Sequence, residues 1–263
     1  MNKEHFRLND QSETDYYTIP SFEESGLVNH AFTTRGLNLG FNTIDSKEDI
    51  VINFKIICGE LKTSIEDSVL SLQTHKTDIR IVTSNDKGKG LIKERDYNDV
   101  DGLVTDQRGI ALFTFYADCV PLFFLDPKKK VVGVAHGGWK GTVGKIARNM
   151  IETMRKQYDS QPEDILVGIG PSIGSCCYEV SKDVYDQFDK NFADISSILK
   201  ESGKDKWSLD LWQANKLVLE ESGIPCSNIT TSNLCTSCNN DKFFSYRKEN
   251  GKTGRMAATI MLK

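Results

Sequence analysis

The stretch ADCVPLFFLDPKKKVVGVAHGGWKG, residues 117–141, is mostly apolar but carries one cysteine, Cys119, and one histidine, His136. If CVPLFFL and VVGVAH pair as a β-hairpin across DPKKK, the numbers of paired residues sum to about 254–257. Cys119 and His136 sum to 255, which predicts about 5–8 Å between their Cβ atoms if they share a face. Pro121 cannot donate a ladder hydrogen bond, so an edge strand or a bulge is expected beside Cys119. A buried apolar cysteine and a hydrogen-bonded strand-end histidine would fit the same pattern.

A third potential ligand is His75, at the end of the apolar run SVLSLQTH. Taken alone, a histidine in this position is more often structural than a ligand. Together with Cys119 and His136 it completes a His₂Cys set, which leaves one position of a tetrahedral zinc ion open to water or substrate, as in catalytic zinc sites. The three residues are far apart in the sequence, so spacing alone leaves both interpretations open.

Helices are predicted on both sides of the hairpin. The segment 46–63 can begin at an N-cap, Ser46, and has acidic residues in its first turn. Apolar residues from Val143 to Met154 recur at i, i+3, i+4 and i+7, which predicts an amphipathic helix directly after AHGGWKG. Two further helices are expected around 181–200 and 208–222.

Short apolar runs bounded by turn residues predict the strands. SVLSLQTH and DIRIVTS are two such runs, separated by Lys76 and Thr77. VDGLVTDQRGIALFTFYADC predicts a strand pair that turns at Gln107-Arg108-Gly109, and FFSYR with RMAATIML predicts a closing hairpin. Because we find no repeat or linker, the sequence predicts one mixed α/β (α+β) domain over residues 21–263, with residues 1–20 as an N-terminal extension or edge segment.

Composition narrows the function classes. The chain has 263 residues and a net charge of −4, which disfavours nucleic-acid binders because these normally carry a basic face. The polar N-terminus does not have the apolar core of a signal peptide, and the longest apolar run is far short of the ~20 residues of a membrane span. Seven scattered cysteines indicate free thiols in a reducing compartment. We therefore expect a cytoplasmic monomer without nucleic-acid or membrane partners.

Five blocks of sequence resemble the bacterial laccase-domain family, also called purine nucleoside phosphorylases of the YlmD/YfiH type, peptidoglycan editing factors or polyphenol oxidases. The blocks are SLQTH (71–75), DGLVT (101–105), ADCVPL (117–122), AHGGWKGT (135–142) and FFSYR…TGRMA (243–257). The resemblance implies a four-layer α/β/β/α sandwich with mixed sheets, and a catalytic zinc held by His75, Cys119 and His136. It also implies phosphorolysis of adenosine, inosine and methylthioadenosine to the free base and a ribose 1-phosphate, with adenosine deamination as a second activity.

The polyphenol oxidase name implies copper, and His₂Cys is also the ligand set of a blue-copper site. A multicopper oxidase needs a further copper cluster held mostly by histidines, but the chain has four histidines in all. Two of these, His5 and His30, lie in N-terminal segments that we interpret as polar. The count argues against multicopper chemistry and leaves copper at a single site as an alternative to zinc.

Residues near the three ligands are candidates for the substrate. Asp118 is the candidate proton shuttle, with Asp101 as the fallback; adjacent strand residues face opposite sides, so Asp118 could serve only if a bulge turns it. Backbone N–H groups and Lys140 at the start of the Val143 helix could bind phosphate, although a plain turn with an N-cap at Thr142 fits equally well.

The closing hairpin offers a second phosphate site. Its arginines, Arg247 and Arg255, should lie nearly opposite each other, which is unfavourable unless an anion or carboxylate joins them. We expect Arg247 to contact the phosphate or ribose, and we assign Arg35 and Gln73 to substrate binding as well. Trp139 and Phe115 lie near the predicted ligands in the sequence, so they are the candidate aromatic partners for the purine.

The motif CTSC, with Cys235 and Cys238, supplies two of the four ligands of a structural zinc. The vicinal pair Cys176-Cys177 or Cys226 would have to complete such a site. On ligand count we interpret these cysteines as plain buried or surface thiols.

Three functions compete. The first is a zinc-dependent purine nucleoside phosphorylase with deaminase activity. The second is an amidohydrolase acting on a peptidoglycan precursor, with Cys119 as nucleophile and His136 as base. The third is a non-catalytic module stabilised by zinc. A chelator would abolish the first activity, and a thiol alkylator in metal-free buffer would abolish the second.

Overall fold

Two six-stranded sheets pack face to face at the centre of the protein, of which the computed structural model describes residues 5–41 and 43–263. The first sheet contains, in spatial order, β1 (Arg7–Asn9), β2 (Tyr16–Thr18), β3 (Val28–Thr33), β15 (Met256–Leu262), β7 (Ala111–Tyr116) and β4 (Ser68–Leu70). The second contains β14 (Ile229–Thr231), β10 (Leu166–Ile169), β8 (Val120–Asp126), β9 (Val131–Gly137), β6 (Val100–Thr105) and β5 (Asp78–Ile81). Both sheets are mixed, since β4–β7, β5–β6 and β10–β14 pair in parallel and the other neighbours are antiparallel.

Within residues 5–41 and 43–263, six α-helices and a small sheet complete the fold. The small sheet has the order β11 (Glu179–Ser181), β13 (Lys206–Leu209), β12 (Leu199–Gly203). The helices are α1 (Pro20–Glu24), α2 (Lys47–Glu60), α3 (Trp139–Val143), α4 (Ile146–Tyr158), α5 (Lys182–Asn191) and α6 (Leu211–Glu221). Over the described residues, none of these helices combines the length and the apolar character that crossing a bilayer requires.

Alternation along the strands builds the four layers. In the first sheet Leu112 points to the other sheet and Phe113 points outward, while in the second sheet Phe123 points inward and Phe124 outward. The outward face of the first sheet packs on Ile50, Phe54 and Ile57 of α2, and that of the second packs on Ile146, Met150 and Met154 of α4 and on α6. The fold is therefore the expected four-layer α/β/β/α sandwich.

The hairpin that carries the candidate pair is confirmed. β8 and β9 are antiparallel, with Val120 opposite Gly137 and Pro121 opposite His136. Pro121 lies in a central strand, which corrects the expected edge position. The Pro121 carbonyl accepts a hydrogen bond from Gly170 N, just after the end of β10 at Ile169. The backbone polar groups of Pro121 thus face the β10 side of the strand, and its missing N–H removes no hydrogen bond to β9.

The predicted helices form, with shifted ends. Ser46 caps α2, since its hydroxyl accepts from Asp49 N at 3.1 Å. The predicted stripe is buried from Ile146 to Met154, while Val143 is half-buried, and it is split between α3 and α4 because Lys145 takes a left-handed φ of 63°. The helix predicted around 181–200 ends at Asn191, since residues 199–203 form β12.

Three strand pairings differ from the local prediction. β6 and β7 lie in different sheets, as do β4 and β5, so the connections at 106–110 and 71–77 cross the sandwich. The prediction of a closing hairpin is wrong. β15 pairs with β3 on one side and with β7 on the other, so the FFSYR segment cannot pair with it. The N-terminal segment is an edge of the first sheet, and its residues Phe6, Tyr17 and Ile19 are buried between the sheets.

His30 is a core residue, which corrects its assignment to a polar segment. It lies on β3 with 5% of its surface exposed, and its ring packs against those of Phe22 and Phe123 at centroid distances of 5.3 and 6.4 Å. Its Nε2 accepts a hydrogen bond from Ile19 N at 2.7 Å. Burial, helped by the positive charge of Lys263, lowers the pKa of His30 to about 3, so the folded protein holds a neutral imidazole.

This neutral histidine predicts a specific loss of stability in acid. Below pH ~6.5 the unfolded chain protonates His30, whereas the folded chain does so only near pH 3. The free energy of unfolding should therefore fall across this window, by about 2.7 kcal/mol at pH ~4.5 from this group alone. His30→Gln should lose this dependence. Urea denaturation of both proteins near pH 7 and pH 4.5 checks it; a stability difference that is the same at both pH values would contradict it.

Candidate active site

The three predicted ligands lie at one end of the sandwich, on neighbouring crossings and strand ends. His75 is on the connection from β4 to β5, and Cys119 is on the short connection from β7 to β8. His136 is the penultimate residue of β9, which leads into α3. The crossing of the chain between sheets therefore brings together residues that are distant in sequence.

The side chains of His75, Cys119 and His136 converge. One ligand atom from each lies within 4.8 Å of the other two, and the two imidazole rings are 4.9 Å apart at an angle of 74°. Gly138 leaves room for them, because a Cβ there would lie 3.1 Å from both Cys119 Sγ and His75 Cδ2. Two imidazoles and one thiolate are a donor set that suits zinc with an open fourth position, so the residues fit the metal that the resemblance implies.

Asp101 holds two of the three candidate ligands in place through hydrogen bonds. Its buried carboxylate accepts hydrogen bonds from the backbone N–H groups of Thr74, His75 and Lys76, each at 3.0 Å. It also contacts His136 Nδ1 at 2.9 Å, which leaves Nε2 of that ring for the site. Burial opposes ionisation, but the bonds from His136 and Thr74 outweigh it and lower the pKa of Asp101. One carboxylate thus fixes the loop of one histidine and the ring of the other.

Cys119 is held as a thiolate. Burial would raise its pKa, but the charge and hydrogen bonding of His136, followed by those of His75, lower it to about 6. The same ion pair acts on His136: burial would lower its pKa, but Cys119 and Asp101 raise it to about 9. A thiolate at neutral pH is the form of cysteine that binds metals and acts as a nucleophile.

A cavity of about 830 Å³ opens over the three ligands, a size typical of small-molecule sites. Both predicted aromatic residues, Trp139 and Phe115, line it. The lining also includes Phe41, Gln73, Arg95, Asp118, Ile173, Tyr178, Tyr246, Arg247 and Arg255. The cavity therefore combines aromatic faces and guanidinium groups around the candidate metal ligands.

Asp118 and Gln73 lie in the wall with their polar atoms engaged. Asp118 accepts from Thr236 Oγ1 at 2.6 Å and from Arg247 N at 2.7 Å, and its φ of 85° turns the chain just before β8. Gln73 pairs through both amide atoms with the backbone of Phe115. These contacts favour positioning roles; the proton shuttle at Asp118 stays a prediction, as does the fallback role of Asp101, whose oxygens are engaged as well.

The predicted phosphate-binding residues divide into two groups. Arg247 and Arg255 both line the cavity, although they are not the ladder neighbours that the closing hairpin predicted. Arg35 and Lys140 lie outside the lining residues: Arg35 contacts Asn240 O and pairs with Glu249 at 3.2 Å, and Lys140 Nζ lies 5.6 Å from the ring of Trp139 on the short helix α3.

Sequence reasoning missed Arg95, Tyr178 and Tyr246. Arg95 lies in the polar stretch KERDYNDV, which carries no motif, yet its Nε donates to Leu70 O at 3.2 Å and it lines the cavity. Tyr178 directly follows the vicinal pair Cys176-Cys177, and Tyr246 lies within the FFSYR segment of the predicted closing hairpin. Burial raises the pKa of Tyr178, with a further rise from the Cys119 charge, so its hydroxyl is a neutral donor at the wall.

The remaining histidines and cysteines bear on the copper interpretation. His5 Nδ1 lies 3.3 Å from Thr231 O, and His30 lies in the core, so neither adds to a copper cluster. In contrast to the expectation of unrelated thiols, Cys176, Cys177, Cys235 and Cys238 come together in one group.

Comparison with known proteins shows the family and the fold. The family model described as multi-copper polyphenol oxidoreductase laccase matches residues 22–263. The chain belongs to this laccase-domain family. Purine nucleoside phosphorylase YlmD of Bacillus subtilis is 38% identical over 86% of this chain and 82% of its own length, and the protein of that name from Geobacillus stearothermophilus is 40% identical over 85% and 82%. The crystal structure of Bacillus licheniformis YfiH matches with a TM-score of 0.91 and 34% identity, covering 97% of this chain and 99% of that one.

The role of Asp101 can be tested on metal affinity. In Asp101→Asn the side-chain NH₂ group cannot accept hydrogen bonds from the backbone N–H groups of the His75 loop, and the contact with His136 Nδ1 loses its negative charge. We therefore expect zinc affinity to fall about 10- to 100-fold. Competition with a coloured chelator measures it. The matched control is Asp99→Asn, since half-buried Asp99 accepts hydrogen bonds from side chains of the His75 loop, Thr74 Oγ1 and Lys76 Nζ, both at 2.7 Å. Equal affinity in the two variants would contradict the role of Asp101.

Proposed function

We propose that the protein is a zinc-dependent purine nucleoside phosphorylase that converts adenosine, inosine and methylthioadenosine, with phosphate, to the free base and the corresponding ribose 1-phosphate, and deaminates adenosine as a second activity. The observation that carries the proposal is the convergence of His75, Cys119 and His136 on a cavity walled by arginine and aromatic side chains. The names of the Bacillus and Geobacillus relatives support the phosphorylase activity.

The metal would be held by His75, Cys119 and His136. When bound, zinc supplies Lewis acidity to a substrate oxygen or nitrogen. The chain fixes the ligands beforehand: Asp101 keeps His136 Nδ1 occupied so that Nε2 faces the site, and the lowered pKa of Cys119 provides the thiolate.

Phosphorolysis breaks the bond between C1′ and the purine nitrogen and forms a bond between C1′ and a phosphate oxygen. The electron pair of the broken bond goes to the base, which takes up a proton. Arg95, Arg247 and Arg255 place positive charge along the cavity wall, which suits a phosphate nucleophile. The neutral hydroxyl of Tyr178 can donate a hydrogen bond to the departing base or the ribose.

The base has aromatic surfaces to pack on. Phe115 and Trp139 line the cavity together with Phe41, Tyr178 and Tyr246. Stacking on a ring is tolerant of the substituent at C6 of the purine, since every base has a π-face. This tolerance accounts for accepting both adenosine and inosine in one pocket.

The central test is turnover of inosine with and without phosphate. We expect hypoxanthine and ribose 1-phosphate only when phosphate is present, loss of turnover after treatment with a chelator, and recovery when zinc is returned. Cys119→Ser should bind less zinc and lose most activity, while Cys226→Ser, which alters a cysteine outside the site, should behave as wild type. Chelator-resistant turnover, or cleavage that is independent of phosphate, would contradict the proposal.

A second candidate function, a cysteine amidohydrolase, is favoured by one specific observation. The Cys119 thiolate interacts with the His136 imidazole, and His136 Nδ1 in turn contacts the Asp101 carboxylate. This is the order of nucleophile, base and orienting carboxylate in cysteine and serine hydrolases. A thiol alkylator in metal-free buffer would abolish this activity, and a chelator would not. A single-site copper polyphenol oxidase is a further alternative, supported by the family description, and would require both copper and an electron acceptor such as dioxygen to oxidise a phenol.

Partners and location follow as further parts of the proposal. We expect small molecules, a nucleoside and phosphate, as the binding partners of a monomer, without nucleic acid or membrane. A reducing cytoplasm suits the protein because the candidate site depends on the reduced form of Cys119.

Arg247 can be tested separately from the metal. Its backbone N–H holds Asp118, while its guanidinium reaches Glu179 O at 3.1 Å and lies 5.1 Å from the ring of Tyr178, so Arg247→Ala removes the charge and keeps the backbone bond. We expect the KM for phosphate to rise about tenfold or more, from loss of a charge-assisted contact, with zinc content unchanged. Arg148→Ala is the control, because it removes a cation that pairs with Glu221 at 2.9 Å outside the cavity lining. Unchanged phosphate dependence in Arg247→Ala would remove this residue from phosphate binding.

A further inference from the structure

Four cysteines meet where two segments of the chain run side by side. Residues 170–178 follow β10 and residues 232–240 follow β14, and they continue the parallel pairing of those strands. Ser172 pairs with Cys235, Ser172 N donates to Leu234 O at 3.2 Å, and Thr236 N donates to Ser172 O at 3.0 Å. One segment supplies Cys176 and Cys177 and the other supplies Cys235 and Cys238.

The sulfur atoms of this four-cysteine cluster have the spacing of a metal site. All four lie within 4.8 Å of one another, and Cys238 Sγ is 3.5 Å from Cys176 Sγ and 3.4 Å from Cys177 Sγ. Zinc–sulfur bonds of about 2.3 Å place the sulfurs of a tetrahedral site roughly 3.8 Å apart, whereas a disulfide requires about 2.05 Å. The observed separations are close to the first value and far from the second.

The surroundings of the cluster suit thiolate ligands. Gly174 N donates a hydrogen bond to Cys235 Sγ at 3.2 Å, and donors of this kind commonly support metal-bound sulfur. Cys235 is buried and Cys177 half-buried, while Cys176 and Cys238 are exposed, which gives an ion a route of entry. The CTSC spacing is that of a zinc-ribbon half-site, and the vicinal pair provides the other half.

We propose that Cys176, Cys177, Cys235 and Cys238 bind one zinc ion in a structural, four-thiolate site distinct from the His75–Cys119–His136 site. Four protein ligands close the coordination shell, so this ion has no position for substrate. Each thiol gives up its proton when it binds the ion, so affinity falls as the pH is lowered.

The cluster is connected to the candidate active site through Asp118. Ile173 N, in the first segment, donates to Asp118 O at 2.9 Å, and Thr236 Oγ1, inside CTSC, donates to its carboxylate at 2.6 Å. Asp118 holds a left-handed φ of 85° and precedes Cys119. An ion that clamps the two segments would therefore also restrain the residue next to the catalytic-site thiolate.

Metal content, measured on whole protein purified under reducing conditions with zinc present, tests the proposal. We expect two zinc ions per chain in wild type, one for each group of ligands. His75→Ala should retain one, with X-ray absorption showing only sulfur neighbours. The double variant Cys235→Ser/Cys238→Ser should retain one, with a mixed nitrogen and sulfur shell and a lower melting temperature, while Cys226→Ser should retain two.

The outcomes separate this site from the proposed catalytic site. One zinc per wild-type chain with a sulfur-only shell would support the four-cysteine site and contradict the catalytic one. If the double cysteine variant does not fold, the His75→Ala spectrum decides. The proposal is overturned if His75→Ala protein holds no zinc, holds iron in its place, or shows the mass of a disulfide among these cysteines.

Discussion

The candidate site depends on a buried carboxylate, that of Asp101, which accepts hydrogen bonds from three consecutive backbone N–H groups and contacts His136. A charge with no solvent exposure would be strongly unfavourable if these bonds were missing. With them, the charge ties a loop that leaves the first sheet to a strand in the second. The interaction places His75, whose φ of 64° is itself left-handed, against His136 without requiring the metal to gather them.

A second carboxylate serves Cys119 in the same way. Asp118 joins the connection between β7 and β8 to three other segments, through Ile173, Thr236 and Arg247. Its left-handed backbone is uncommon for a residue other than glycine, and the three contacts hold it there. Each ligand is therefore positioned by hydrogen bonds to an aspartate, which is how a ligand set scattered along the sequence can be rigid.

Some of this was available from the sequence because it is local. The hairpin of β8 and β9 follows from one turn, and its register brought Cys119 within two positions of the residue opposite His136. The N-cap at Ser46 and the stripe on α4 depend on neighbouring residues alone.

In contrast, the sheet to which β4, β5, β6 and β7 each belong depends on which distant strand offers a free edge. The alternation of apolar and polar residues along a strand carries no such information. The closing hairpin failed for that reason, since β3 and β7 occupy both edges of β15. Arg95 and the four-cysteine cluster were hidden for the same reason, because the residues that they meet are distant in the sequence.

The histidines and cysteines of the chain also bear on whether the multicopper name of the family describes its chemistry. Affinity does not choose zinc over copper at a His₂Cys site, because copper(II) binds most nitrogen and sulfur sites more tightly. Multicopper oxidation, however, needs several coppers that exchange electrons, and nitrogen ligands to hold them. Two of the four histidines are in the candidate site, and the others are in the core and near Thr231. The second group of potential ligands within the described residues is made of sulfur alone, a set suited to tetrahedral zinc. The side chains of this laccase-domain protein therefore agree better with the proposed Lewis-acid chemistry at one open site than with multicopper oxidation.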